Sequence, residues 1–129
     1  MVVAQAKSRA LSIADAAEAT GLSPHTLRYY ERAGLMLDPI TRAPSSHRRY
    51  SDAEIDWVVF LTKLRSTGMP IRTMRQYTDL VRAGRGTEAE RLALLEAHRD
   101  TVRAQLDEST RNLRAIDFKI ATYHERIAS

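Results

Sequence analysis

Apolar residues recur at helical spacing in five stretches of this chain, and the longest stretch sets the architecture. Leu92, Leu95, Val102, Leu106, Leu113, Ile116, Ile120, Tyr123 and Ile127 follow alternating three- and four-residue steps. This is a heptad seam that meets Arg99 and Ser109 where an apolar residue is due. Thr87 and Glu90 have capping-box spacing at its start, and no Pro or Gly follows Gly86. A coiled-coil helix is predicted over 87–127, with a bend near Asn112. Straight, the seam from Leu92 to Ile127 would reach roughly 50 Å at about 1.5 Å per residue. One small domain cannot cover such a seam, whereas a second copy can, which makes Leu92, Leu95, Val102, Leu106, Leu113 and Ile116 the dimerisation residues. The competing arrangement folds the helix back on its own subunit.

Two further helices precede the break at Gly84-Arg85-Gly86. Ser51 and Glu54 have capping-box spacing, and the helix they open is apolar nearly all round between Ile55 and Leu61, so it should carry the centre of the core before ending at Gly68. Pro70 opens the next, with Ile71, Met74, Tyr77, Leu80 and Val81 inward and Arg72, Arg75 and Arg82 outward. Arg65 and Arg72, at adjoining helix ends, could grip phosphate or stay solvated.

The first two helices are short and close together. Ser12 and Asp15 can cap a helix with Ile13 and small alanines on its apolar side, and Gly21 breaks it. Ser23 is a second N-cap, Pro24 suits the first helical position, and Gly34 can end the helix in a left-handed conformation. Leu27, Tyr30 and Leu35 fall on one side, leaving His25, Arg28, Tyr29 and Arg32 on the other. Two such helices joined at Gly21-Leu22-Ser23 form a helix-turn-helix, whose second helix enters a major groove. Ser23, His25, Thr26, Arg28, Tyr29 and Arg32 are its candidate DNA contacts.

Between Leu35 and Tyr50 the prolines, Asp38 and serines give no helical period. A β-hairpin wing is predicted, turning between Arg42 and Ser46. Its second arm carries His47, Arg48, Arg49 and Tyr50, with Arg48 and Tyr50 on one side. Arg42 and these four residues join the candidate DNA contacts.

Composition and charge support that division. With 43% hydrophobic and 28% charged residues, the chain is composed like a soluble globular protein rather than a disordered one. Residues 1–86 carry 13 Lys or Arg against 8 Asp or Glu, and residues 87–129 carry 7 against 8, so the positive charge sits with the helix-turn-helix. Domains are predicted at 10–84 and 87–127. The absence of cysteine excludes disulfides, thiolate metal sites and cysteine redox sensing. The N-terminal residues lack the apolar core of a signal peptide and no apolar run could span a bilayer, so a cytoplasmic protein without a membrane partner is expected.

The residues also carry a resemblance. Leu11-Ser-Ile-Ala, Thr26-Leu-Arg-Tyr-Tyr-Glu-Arg-Ala-Gly-Leu35, His47-Arg-Arg-Tyr-Ser51 and Leu64-Arg-Ser-Thr-Gly-Met-Pro-Ile71, before a long terminal helix, closely resemble the MerR (mercury-resistance regulator) family of bacterial transcription regulators. The resemblance covers residues 10 to about 127. It implies an all-α fold with a small β-hairpin wing and an antiparallel coiled coil joining two subunits. It also implies promoter DNA that is distorted for RNA polymerase, with Arg28 and Tyr29 as recognition-helix contacts and Arg48 and Tyr50 as wing contacts. Ser46-His47-Arg48 stands where the family wing commonly reads Gly-Tyr-Arg. Metal-sensing members use cysteines absent here, and drug-sensing members append a ligand domain for which too little chain follows. Ile116-Asp-Phe-Lys-Ile-Ala-Thr-Tyr123 resembles the tail of the aldehyde-responsive subgroup, whose best-known members use a cysteine. A hydrophobic or weakly polar effector near Trp57, Tyr77, Phe118 and Tyr123 is the resulting expectation, although these aromatics suit packing better than ligand contact.

No catalytic, metal or cofactor site is predicted. His25 and His47 lie among cations, His98 and His124 are 26 residues apart, and no nucleophile–base or metal-ligand spacing occurs. The competing functions are an excisionase-like DNA-bending protein, a plain repressor without an effector, and a coiled-coil adaptor without DNA binding.

Overall fold

The computed structural model of the chain describes residues 11–38, 41–42 and 48–129, without the side chains of residues 41–42 and 48–49. In order, the elements are β1 (Leu11–Ser12), α1 (Ile13–Thr20), α2 (Pro24–Arg32), β2 (Thr41–Arg42), β3 (Arg48–Tyr50), α3 (Asp52–Ser66), α4 (Ile71–Ala83) and α5 (Glu88–Ala128). The chain divides between Arg91 and Leu92 into two compact units.

Short-range chemistry sets the helix ends. Ser12, Ser23 and Ser51 sit in extended backbone, and their hydroxyls accept from the N–H groups of Asp15, Thr26 and Glu54. At Ser51 the box closes, because the Glu54 carboxylate accepts from the Ser51 N–H at 2.8 Å. α1 stops at Gly21, whose φ of 76° is left-handed and favours a residue without Cβ. Through the turn, the Thr20 hydroxyl donates to the Ala16 carbonyl at 2.8 Å and accepts from the Leu22 N–H at 3.3 Å. These bonds satisfy backbone groups that a three-residue turn would otherwise leave bare.

The start of α5 differs from expectation. Thr87 does not form a capping box with Glu90: its hydroxyl donates back to the carbonyls of Leu80 and Gly84, each at 2.8 Å, and Arg91 Nε donates to it at 2.8 Å. Glu88 supplies the carboxylate instead, accepting from the Gly86 N–H at 2.9 Å. The Thr87 hydroxyl proton is directed back to the carbonyls of Leu80 and Gly84 and its oxygen already accepts from Arg91, so the side chain is held away from the forward-capping position.

The first unit is built on the side chains of Leu27, Leu35, Tyr50, Val58, Leu61, Met69, Met74 and Thr78, all fully buried. Ala16 and Ala17 close the contact of α1 with its neighbours, as their small size predicts. α3 buries Val58, Leu61 and Leu64, while Ile55, Trp57, Val59 and Phe60 remain partly exposed, so its encircling apolar pattern buries one stripe and leaves a second at the surface. Thr78 is tolerated in the core because its hydroxyl donates to the Met74 carbonyl at 2.8 Å.

The predicted hairpin is β2 with β3, but it belongs to a three-stranded antiparallel sheet ordered β1-β3-β2. Leu11 pairs with Tyr50 and Ser12 with Arg49 on one side of β3, and Thr41 pairs with Arg49 and Arg42 with Arg48 on the other. The wing's second arm is therefore the central strand.

α5 is one uninterrupted helix of 41 residues, running through Asn112 where a bend was expected. At about 1.5 Å per residue it is about 60 Å long. None of its residues is buried within the protomer. No helix among the described residues is long and apolar enough to cross a membrane.

Candidate nucleic-acid interface

α2 is fixed by its inner face and presents its outer one. Leu27 and Tyr30 are buried, and the Leu35 N–H donates to the Tyr30 carbonyl at 3.1 Å where the chain leaves the helix. Opposite them, His25 and Arg32 are exposed, Thr26 and Arg28 are half-buried, and Tyr29 is 41% exposed. The Tyr29 and Tyr30 rings lie 6.3 Å apart and tilted by 54°, so a buried ring sets the base of an exposed one. Ser23 is occupied with its capping bond, and its hydroxyl also lies 3.0 Å from that of Thr26. Ahead of this N-terminus the helix dipole favours an anion, and the side chains supply cations and planar donors.

The wing reaches this helix through one of its expected DNA contacts. Tyr50 is fully buried and its hydroxyl donates to the Glu31 carboxylate. The resemblance implies a wing contact at this position, whereas its ring is packed inside the first unit. Pairing of β3 with β1 turns the Tyr50 position into the core, where a buried phenol needs an acceptor and finds one on α2. Arg42 and Arg48 are Cα partners across β2 and β3, so two arginine positions lie side by side in the wing backbone. His47 lies outside the described residues, as do the side chains of Arg42, Arg48 and Arg49.

Several other arginines hold the backbone. Arg65 donates to the Met69 carbonyl at 3.2 Å, closing the turn between α3 and α4, whereas Arg72 is exposed in the first turn of α4. Arg75 Nε donates to the Ala33 carbonyl at 2.8 Å, and Arg82 donates to the Leu37 carbonyl at 3.2 Å and to that of Met36. Arg75 and Arg82 were expected simply to point outward. Both are exposed as expected, and they also donate to carbonyls of the segment leaving α2, where the negative end of its dipole favours a cation.

The expected effector aromatics fall in separate units. Trp57 and Tyr77 stack at 5.8 Å with ring planes 8° apart, and the Trp57 indole N–H donates to the Leu35 carbonyl at 2.7 Å. Phe60, which is not among the expected aromatics, joins them 5.9 Å from Tyr77. Its place one helical turn from Trp57 was the available signal. Phe118 and Tyr123 belong to the second unit; Phe118 is 73% exposed, and Arg126 lies over the Tyr123 ring at 5.4 Å. Among the described residues no three His, Asp or Glu gather closely enough to hold a metal ion.

Comparison with known proteins agrees with this geometry. The family described as MerR HTH family regulatory protein matches residues 11–80, and the one described as MerR, DNA binding matches residues 55–127. An uncharacterized HTH-type transcriptional regulator of Haemophilus influenzae is 34% identical over 112 residues, spanning 87% of this chain and 82% of that one. The HTH-type transcriptional regulator AdhR of Bacillus subtilis is 37% identical over 89 residues, covering 69% of this chain and 63% of AdhR. Among solved structures, HiNmlR, a MerR family regulator lacking the sensor domain and bound to promoter DNA, superposes with a TM-score of 0.83 at 33% identity, over 92% of this chain and 94% of that one. A MerR family regulator from Listeria monocytogenes gives 0.82 at 35% identity, over 88% and 85%. With more than half its length inside the family's helix-turn-helix region, and its long terminal helix matched as well, this chain belongs to the MerR family of HTH transcriptional regulators, a family of DNA-binding proteins and not of enzymes.

Proposed function

We propose that this regulator binds double-stranded promoter DNA as a homodimer and controls access of RNA polymerase by changing the shape of that DNA. The observation that carries the reading is α2: a capped helix locked by Leu27 and Tyr30, with Arg28, Tyr29, His25 and Arg32 on the side left open. Arg28 and Tyr29 read or brace the major groove, and Ser23 and Thr26 lie at the helix start where backbone N–H groups meet phosphate. Arg42, Arg48, Arg49 and His47 supply the wing's contacts to the flanking backbone, and Arg72 a further phosphate contact. The DNA-binding part spans 10–84 and the dimerisation helix 87–127. HiNmlR, seen on promoter DNA, supports this assignment by its similarity.

Two such modules joined by a stiff helix pair hold both ends of an operator at a spacing fixed by protein, so a change at the helix junction becomes bend or twist between them. The effector is a small, hydrophobic or weakly polar molecule, with Trp57 and Tyr77 as its candidate contacts in the first unit and Phe118 and Tyr123 as those in the second. Similarity to AdhR and the 116–123 sequence favour the aldehyde-regulator-like subgroup, here without its cysteine.

Arg28→Ala tests the recognition helix: at matched salt it should weaken operator binding by about 1–3 kcal/mol and relax one position of the site. Binding equal to the parent's would remove α2 from the interface. Chemical footprinting of the operator centre, with transcription from a template whose spacer is shortened by two base pairs, tests the mechanism. Neither central distortion nor spacer dependence would leave a plain repressor.

A further inference from the structure

Residues 33–37, which carry the chain out of α2 toward the wing, are stitched on two sides. Their N–H groups turn back to the helix: Ala33 donates to the Tyr29 carbonyl at 2.8 Å, Gly34 to that of Glu31 at 3.2 Å and Leu35 to that of Tyr30 at 3.1 Å. Their carbonyls meet side chains of α3 and α4. Arg75 Nε donates to Ala33 at 2.8 Å and the Trp57 indole N–H to Leu35 at 2.7 Å, while Arg82 donates to Met36 and, through Nε, to Leu37 at 3.2 Å. Ala33, Leu35 and Met36 are buried, so a carbonyl there costs free energy unless a donor reaches it. Two of the donors are themselves held: Trp57 stacks on Tyr77 with ring planes 8° apart, and Arg82 NH1 lies 3.8 Å from the Asp79 carboxylate. The donors lie 22 to 46 residues beyond their acceptors, so these bonds fix where the end of α2 stands relative to α3 and α4, which no bond within the helix can do.

We infer that Trp57, Arg75 and Arg82 are positioning residues for DNA recognition, acting through the carbonyls of 33–37 to hold α2 in the orientation that seats its outer face in a groove. The inference rests on α2 as the recognition helix. Losing one donor lets α2 take other orientations, and affinity for a specific site falls with the fraction of molecules that keep the competent one. Attraction between cationic side chains and phosphate carries no sequence information and persists on any duplex. Specific and non-specific binding should therefore part company in a variant that keeps its charge.

Trp57→Phe keeps a ring against Tyr77 and removes the donor; Arg82→Lys keeps the charge and removes the fork that reaches two carbonyls. With a duplex selected from a random pool by the parent protein, each variant should bind about fivefold more weakly, while an unrelated duplex of equal length is bound within about twofold of the parent. Amide exchange at Ala33, Gly34 and Leu35 should quicken in both variants, with that at Leu61 and Leu64 of α3 unchanged, and the selected duplex should restore protection. Parent-like binding of the selected duplex by both variants, or an equal loss on both duplexes, would overturn the inference, as would exchange that quickens equally in α3. The Arg82 side chain is 39% exposed, so Arg82→Lys decides alone where Trp57→Phe does not fold. Arg28→Ala separates this inference from the reading it rests on. Parent-like binding of the selected duplex by Arg28→Ala removes α2 from the interface and the positioning role with it, whereas weak binding by Arg28→Ala beside parent-like Trp57→Phe and Arg82→Lys overturns the positioning role alone.

Discussion

The Tyr50 hydroxyl donates to the Glu31 carboxylate, so the central strand of the wing and the last turn of α2 are joined by a charge-assisted bond inside the first unit. Wing and recognition helix are thereby set at one relative position before any nucleic acid arrives. Tyr50→Phe keeps the ring and removes the donor. It should lower unfolding free energy by about 2 kcal/mol in urea titrations, and should weaken operator binding even though Tyr50 lies away from the surface. Unchanged stability would mean that the bond is matched by water in the unfolded chain.

This pair also marks where sequence reading stops. The caps at Ser12, Ser23 and Ser51 were legible because each is decided within three residues of chain. The inner face of α2 was legible because periodicity alone assigns it. Tyr50 was not, because β1 is two residues long and leaves no alternation to read, yet its pairing decides which way Tyr50 faces. The roles of Arg75 and Arg82 were hidden likewise: their carbonyl partners lie 42 to 46 residues earlier in the chain.

Arg75 offers a test of those long-range bonds. Arg75→Leu keeps the stem and removes the donor to the Ala33 carbonyl, and should cost about 1 kcal/mol by urea denaturation. Arg75→Lys retains the charge near the end of α2 but not the Nε–H direction, and should recover only part of the loss. Full recovery by lysine would show that charge alone matters there.

Acid should loosen the start of α5. Bonds from the backbone N–H groups of Glu88 itself and of Gly86, with Arg91 nearby, hold the Glu88 carboxyl below its ordinary value. A carboxylate with a depressed folded-state pKa contributes stability above its unfolded value, and loses that contribution as pH falls through the folded one. Helicity at this junction, followed by amide exchange, should therefore decline below the usual carboxylate range. Glu88→Gln should flatten that pH dependence, and a parent-like profile in the variant would assign it to another group.

Thiophilic metals should leave the protein indifferent. With no cysteine in the sequence, zinc, copper or mercury salts at low micromolar levels should change neither operator affinity nor transcription. A saturable response to any one of them would require a histidine and carboxylate site formed only in the assembled complex.

α5 begins inside the first unit and makes up all of the second, with no break in its helical bonding between Glu88 and Ala128. Along a continuous helix each added residue changes the direction of the seam about the axis as well as the length. One residue inserted after Arg91 would turn every later seam position by about 100° about the axis, while seven would return it to within about 20° of its starting direction. Insertions and deletions near this junction should thus be tolerated by phase rather than by size, so that adding seven residues does less harm than adding one.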